Sequence, residues 1–241
     1  MTSFALARRT ARVVASLACL VAVLVACSQP QPPTVPLYRA LQVGDLDQIK
    51  RHLYHGSDIN SPDGAGDYPL HVAARNAQVA ITRVLLDHGA RLDVRDTKGR
   101  TPLHLALAGG RTELAEVLFE AGATDSPQAL LFTLVREGSA DRDALNLLRR
   151  RGADLNALDE TNQAALHLAV GTGRVALAKR LILAGANTNL PDTDGQTPLT
   201  LAVRGGDADM VRMLRQYGAR STGPAPGGQT PVVPESGAVS P

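Results

Sequence analysis

Six glycines recur through the middle of this 241-residue chain at a nearly constant interval: Gly56, Gly89, Gly122, Gly152, Gly185 and Gly218, separated by 33, 33, 30, 33 and 33 residues. A fixed period of this length means one small unit repeated, and it restricts the folded part to an array in which each unit buries its apolar side on a neighbour. Each glycine closes a segment with helical spacing of apolar residues, as in TRVLLDHG, AEVLFEAG and AKRLILAG. Glycine just past a helix adopts the left-handed backbone that a β-carbon penalises. Nineteen residues before five of the six stands a leucine, Leu37, Leu70, Leu103, Leu166 or Leu199, which opens a second, shorter helix. Tryptophan is absent and aromatics make up only 3% of the chain, so the core must come from Leu, Val, Ile and Ala, residues suited to small packed helices.

Around those leucines stand YPLHVAA, TPLHLAL, AALHLAV and TPLTLAV. They resemble the TPLHxA signature of the ankyrin-repeat family, matched in full at Thr101-Pro102-Leu103-His104-Leu105-Ala106 and in part elsewhere. Proline is tolerated there because the first helical turn leaves its missing donor without a partner anyway. The resemblance covers Leu37 to Arg220. It implies an all-α ankyrin-repeat solenoid of six helix-turn-helix units with short β-hairpin fingers, the units at about 37–62, 63–95, 96–125, 126–158, 159–191 and 192–220. The first and last units look like end caps. The fourth departs: its leucine in register is Leu131, nine residues after Gly122 instead of fourteen, and Gly138 to Gly152 is fourteen instead of twelve. The finger before it is therefore expected to be shortened by five residues and its interhelical loop lengthened by two. Tyr68 and Ala164 replace the expected threonine, and Asn162 replaces a finger glycine.

Residues 1–26 read as a lipoprotein signal peptide. Arg8, Arg9 and Arg12 precede an apolar run from Val13 to Ala26, too short to span a ~30 Å hydrocarbon core. It ends in Leu24-Val25-Ala26-Cys27, which resembles the lipobox whose cysteine is acylated, so Cys27 is the expected lipidation site. An ordinary cleavable signal or a retained short anchor stays open. Residues 27–36 form a proline-rich tether, and 221–241, rich in Gly, Pro and Ser without apolar periodicity, read as a disordered tail. The address implied is the bacterial cell envelope, lipid-anchored and periplasmic, with the outer membrane preferred over the inner because Ser28, not aspartate, follows the cysteine. Removing 1–26 takes away three arginines and no acid, leaving 22 basic and 23 acidic residues. Such a balance gives no broad footprint for nucleic acid. Cys19 and Cys27 are the only cysteines, which leaves the mature part without a disulfide or thiolate ligand.

No residue set points to catalysis, a metal or a cofactor. His71, His104 and His167 recur by whole units, about 10 Å apart on helix-packing distances, too far to share one zinc; the resemblance makes them structural hydrogen-bonding residues. His52 and His55 read as solvent-facing or helix-end residues. Gly171-Thr172-Gly173-Arg174 looks like a scrap of a phosphate loop but lies between two helices with no following lysine. A small-molecule substrate is not expected. The resemblance implies a protein partner, envelope-bound or exported, gripped by a monomer through finger tips and the exposed side of the short helices. Carried over by position, that face comprises Asp67, Arg75, Asn76, Arg95, Thr97, Lys98, Arg100, Arg136, Glu137, Glu160, Thr161, Gln163, Asp194, Gln196 and Arg204. Arg75, Arg95, Lys98 and Arg100 together predict a locally basic stretch. A scaffold for an envelope protein and an immunity-type inhibitor of a periplasmic toxin or hydrolase use the same face.

Overall fold

A computed structural model describes residues 30–220, which fall into two compact units divided between Arg100 and Thr101. The signal segment, Cys27, Ser28 and residues 221–241 lie outside the described residues. Twelve helices and no strands are found among the latter.

The first unit holds α1 (Leu37–Val43), α2 (Leu46–Tyr54), α3 (Pro69–Arg75) and α4 (Val79–Asp87). Each seven-residue helix ends in a left-handed residue, Gly44 after α1 and Ala77 after α3, and the chain folds straight back into a nine-residue helix. Asp45 caps α2 by accepting from the Gln48 amide, supplying one of the acceptors that a helix start lacks. Leu41, Ile49, Leu70 and Leu85 are fully enclosed, and Ala73 and Ala74 let α3 approach closely. Enclosing one leucine contributes about 2 kcal/mol, so a few such positions per helix hold elements too short to persist alone.

The second unit holds α5 (Pro102–Ala108), α6 (Thr112–Glu120), α7 (Pro127–Glu137), α8 (Arg142–Arg150), α9 (Ala165–Gly171), α10 (Val175–Leu183), α11 (Pro198–Arg204) and α12 (Ala208–Gln216). Here α5, α7, α9 and α11 follow one another in contact, as do α6, α8, α10 and α12 behind them. Thr101 and Thr197 cap α5 and α11 through their hydroxyls. The seam is leucine and alanine again: Leu103, Ala106, Leu114, Leu131, Leu145, Leu166, Ala169, Leu181 and Leu199.

The departure expected between Gly122 and Gly152 is visible within the second unit. Leu131 stands seven residues before the left-handed Gly138, as Leu103 does before Gly110, and Gly138 stands four residues before the start of α8 where Gly110 stands two before the start of α6. The missing finger is replaced by helix: α7 starts one turn early, with Ser126 capping Ala129 and Pro127 in the first turn. The added turn carries Gln128, whose amide accepts from Asp154 N at 2.8 Å and donates to Asp154 O at 3.1 Å. Asn156 and Asn189 make the same kind of bridge from finger loops, to Asn187 N and Arg220 N. Arg174 donates to the carbonyls of Val135 and Arg136 at the end of α7, at 2.9 and 2.8 Å.

Two expectations are corrected. The fingers contain no strand; each is a closed turn too short for a ladder. Of the two readings of His52, helix-end holds and solvent-facing does not: it lies in the last turn of α2 and is buried, with Nδ1 2.8 Å from Ser57 Oγ and Nε2 2.7 Å from Val35 O. Residues 30–36 lie along α2, where Thr34 N donates to Gln48 Oε1 and His55 Nε2 donates to Pro30 O.

Candidate functional site

The finger turns are built by four aspartates absent from the expected face. Asp96 Oδ1 accepts from the amides of Lys98 and Arg100, both at 2.9 Å, while Asp96 N donates to Arg100 O and Gly99 N to Asp96 O. One side chain thus satisfies the turn's inner donors, an Asx-turn that holds the tip rigid. Asp63 does the same for Ala65 and Asp67, Asp159 for Thr161 and Gln163, and Asp192 for Asp194 and Gln196. Three residues after each comes a left-handed residue, Gly66, Gly99, Asn162 or Gly195. That Asp-x-x-Gly/Asn spacing, recurring 33 residues apart within each pair, was the available sequence signal.

Burial alone would raise the Asp96 carboxyl, but bonds from the Arg100 guanidinium and from the Arg100 and Lys98 amides outweigh it and hold the group below the usual carboxylate range. Asp159 is held low in the same way, its burial offset by Thr161, Gln163 and Arg136.

A second set of bonds fixes three of the four fingers to a short helix. In the first unit the Tyr38 hydroxyl is shared between Ser61 O at 2.6 Å and Asp67 O at 2.9 Å, and His71 Nε2 donates to Arg100 O at 2.8 Å. In the second, His167 Nε2 donates to Gln196 O at 3.2 Å. Asp67, Arg100 and Gln196 each lie 29 residues on. His71 Nδ1 accepts from Tyr68 N at 3.3 Å, so this ring is a neutral tautomer with both nitrogens used. Burial pushes His71 and His167 below the ordinary histidine value, against the opposing pull of those carbonyls. Burial and the nearby Asp63, Asp67 and Asp58 push the Tyr38 phenol up.

The expected partner-binding residues divide by this architecture. In the first unit Arg75, Asn76, Arg95, Thr97 and Lys98 are exposed, while Asp67 and Arg100 are half-buried and lend their carbonyls to Tyr38 and His71. In the second, Arg136, Glu137, Glu160, Thr161, Asp194 and Arg204 are exposed, and Gln163 and Gln196 half-buried. Half of the predicted basic stretch is neutralised. Arg75 pairs with Asp67 and Arg100 with Asp96, each at 2.7 Å, which leaves Arg95 and Lys98 without an ion-pair partner among the described residues. Likewise Arg136 pairs with Asp159 at 2.7 Å.

The family model for ankyrin repeats in three copies matches residues 37–128 and 131–223. No curated protein sequence matches the chain significantly. Among solved structures it is similar to the ankyrin repeat domain of Bcl-3, a member of the IkappaB protein family, at 25% identity and a TM-score of 0.63, over 80% of this chain and 90% of that one. It is similar at 27% identity and a TM-score of 0.58 to the human ASB11 ankyrin repeat domain, over 77% of this chain and 85% of that one. A third likeness, 25% identical with a TM-score of 0.55, is to a chain in the complex of the Bd0816 predatory endopeptidase of Bdellovibrio bacteriovorus with immunity protein Bd3460, over 77% of this chain and 99% of that one. With the family model spanning nearly all the described residues, the chain belongs to the ankyrin-repeat family.

Proposed function

We propose that this chain is a non-catalytic protein-binding module of six two-helix units, held at a bacterial envelope through an acylated Cys27 and gripping a protein partner with its finger tips and short helices. Ankyrin-repeat domains are generally interaction modules. The observation that carries the reading is the division of labour in the fingers. Buried Asp96, Asp159, His71 and His167 are consumed in closing turns and joining them to helices, while Arg95, Thr97, Lys98, Glu160, Thr161 and Asp194 stand exposed on the braced tips. Side chains held on rigid turns lose little freedom on binding, and such preorganisation favours recognition.

The test is capture of a partner by the intact protein from solubilised envelopes, followed by cross-linking. Cross-links confined to the finger tips and short helices support the reading; cross-links confined to the second helices of the pairs overturn it. The tether is tested by Cys27→Ser, which removes the acylation site and should release the chain from membranes at high salt. Full membrane retention of that variant overturns the lipoprotein part.

The likeness to a chain of an endopeptidase–immunity protein complex favours a second reading, an inhibitor of an exported hydrolase. A partner with hydrolase activity that falls on adding this chain would support it. A partner without such activity would return the reading to a scaffold.

A further inference from the structure

The last helix pair, α11 and α12, presents apolar seam positions to solvent. Counting back three residues from the left-handed residue that follows each short helix gives Leu41, Ala74, Leu107, Val135, Val170 and Val203. The first five are at most 6% exposed, or 1% for Val135; Val203 is 55% exposed. Behind it on α12, Val211 is half-buried, at a register where Ile49, Thr82, Ala115, Leu145 and Ala178 are enclosed. Both valines line a shallow concavity of about 530 Å³ together with Arg212 and Arg215. Terminal units of a repeat array need a polar outer face to stay soluble. This one offers valine.

Charge at the rim is available for a partner. Arg212 reaches only Asp209, at 3.2 Å with both side chains at least three-quarters exposed, and Arg215 has no carboxylate partner among the described residues. At the other end of the chain an extended segment already lies against a terminal helix pair: residues 30–36, with Pro33 and Val35 half-buried, run along α2 and bond to Gln48, His52 and His55. The sequence there is Pro-Pro-Thr-Val-Pro, at 32–36. Beyond Arg220 a similar string occurs once, Thr-Pro-Val-Val-Pro at 230–234, followed by Glu235, the sole charged side chain of residues 221–241.

We infer that residues 231–235 cover the outer face of α11 and α12, with Val232 and Val233 over Val203 and Val211 and the Glu235 carboxylate beside Arg212 and Arg215. Ten residues separate Arg220 from Pro231, enough to reach about 33 Å when extended, more than twice the roughly 14 Å length of a nine-residue helix. Composition alone predicts a tail without order; the unfilled seam gives five of its residues a place. This inference is independent of the partner proposed for the fingers.

Hydrogen exchange of the purified full chain tests it. The full-length variant Val232→Asp, Val233→Asp leaves the described helices untouched, so a folding failure cannot imitate the result. It should speed exchange of the α11 and α12 amides about five- to tenfold with α5 to α8 unchanged, as expected for local opening at the end of an array. Glu235→Lys should produce a smaller change of the same sign, and a peptide spanning 228–238 added to the valine variant should restore protection. Identical exchange in wild type and the valine variant would overturn the inference. So would protection that grows with protein concentration while sedimentation shows a doubled mass, because a second copy would then be the occupant.

Discussion

His104 Nε2 lies 3.0 Å from Glu137 Oε2, and this pair stands where α1, α3 and α9 bond a tyrosine or histidine to a finger carbonyl. The reason is the lost finger between Gly122 and Pro127. Residue 133, which lies 29 positions after His104, is inside α7, where its carbonyl belongs to the helix. A carboxylate at the end of α7 takes over, and Ser139 Oγ donates to the same oxygen at 3.3 Å. Glu137→Leu should leave the enclosed His104 N–H without an acceptor. That ordinarily costs about 1–3 kcal/mol, and the low end applies because Glu137 is 39% exposed and water can reach the site. Glu137→Gln keeps an acceptor and should be nearly neutral. Urea unfolding of both variants checks this; equal loss for Leu and Gln would show that the bond contributes nothing.

Ala77 should be improvable. Its φ is +56° at the position filled by Gly44, Gly110, Gly138, Gly173 and Gly206 elsewhere. A residue with a β-carbon loses roughly 1–2 kcal/mol in that conformation, while glycine gives back about 0.4–1 kcal/mol through the freedom of the unfolded chain. Ala77→Gly should therefore raise stability by about 0.5 kcal/mol, and Ala77→Val should lower it by more than that. Thermal unfolding of the two variants decides; a lower Tm for the glycine variant would contradict the argument.

The chain's period made much of this fold legible. Leucines at fixed offsets from glycines locate short and long helices, and Leu131 in register showed that five residues had gone from one finger and two had been added to one turn. The repair was not legible: Gln128 and Glu137 read as ordinary surface residues until the extra turn of α7 carries one to Asp154 and the helix end carries the other to His104. The finger aspartates were missed because their partners are backbone amides, which have no identity in sequence. Arg75 and Arg100 looked like free cations for a related reason. Their partners Asp67 and Asp96 are brought to them by the bend at a helix start and by a five-residue turn; Asp67 and Arg75 are eight residues apart, and Asp96 and Arg100, although four apart, lie in a turn and not in a helix.

The buried histidines predict a pH dependence of definite sign. His71 lies below its ordinary value of 6.5 because burial disfavours the cation, although Asp96 and Asp67 pull the other way and Arg75 adds to the depression. His167 lies low for the same leading reason. As pH falls below 6.5 the unfolded chain takes up these protons and the folded one does not, so stability is complete above that value and declines below it. Urea unfolding at pH 7.5, 6.0 and 5.0 should show the decline in the wild type and a shallower one in His71→Gln, His167→Gln. An equal slope in the two proteins would show that other groups govern it.

Reversing charge on the finger at Asp96 separates recognition from scaffolding. Arg95 and Lys98 are exposed and have no ion-pair partner among the described residues, and neither side chain bonds Asp96; the Arg95 guanidinium makes one exposed bond within the turn, donating to Gly99 O at 2.8 Å. Arg95→Glu, Lys98→Glu should leave helicity and Tm near wild type. Where the captured partner presents an acidic surface, association should slow by about tenfold or more at low salt, with a smaller effect at high salt. Arg100→Glu is a different experiment: it sets a second carboxylate against Asp96, whose side chain is 2% exposed, and should loosen the turn itself, seen as a lower Tm. Lys179→Glu, on the exposed side of α10, serves as the control for net charge. Binding rates at two salt concentrations, read beside circular dichroism, check all three. Unchanged association of the Arg95, Lys98 variant would remove this finger from the interface, and a loss shared equally by Lys179→Glu would mean that net charge, and not the finger, steers the encounter.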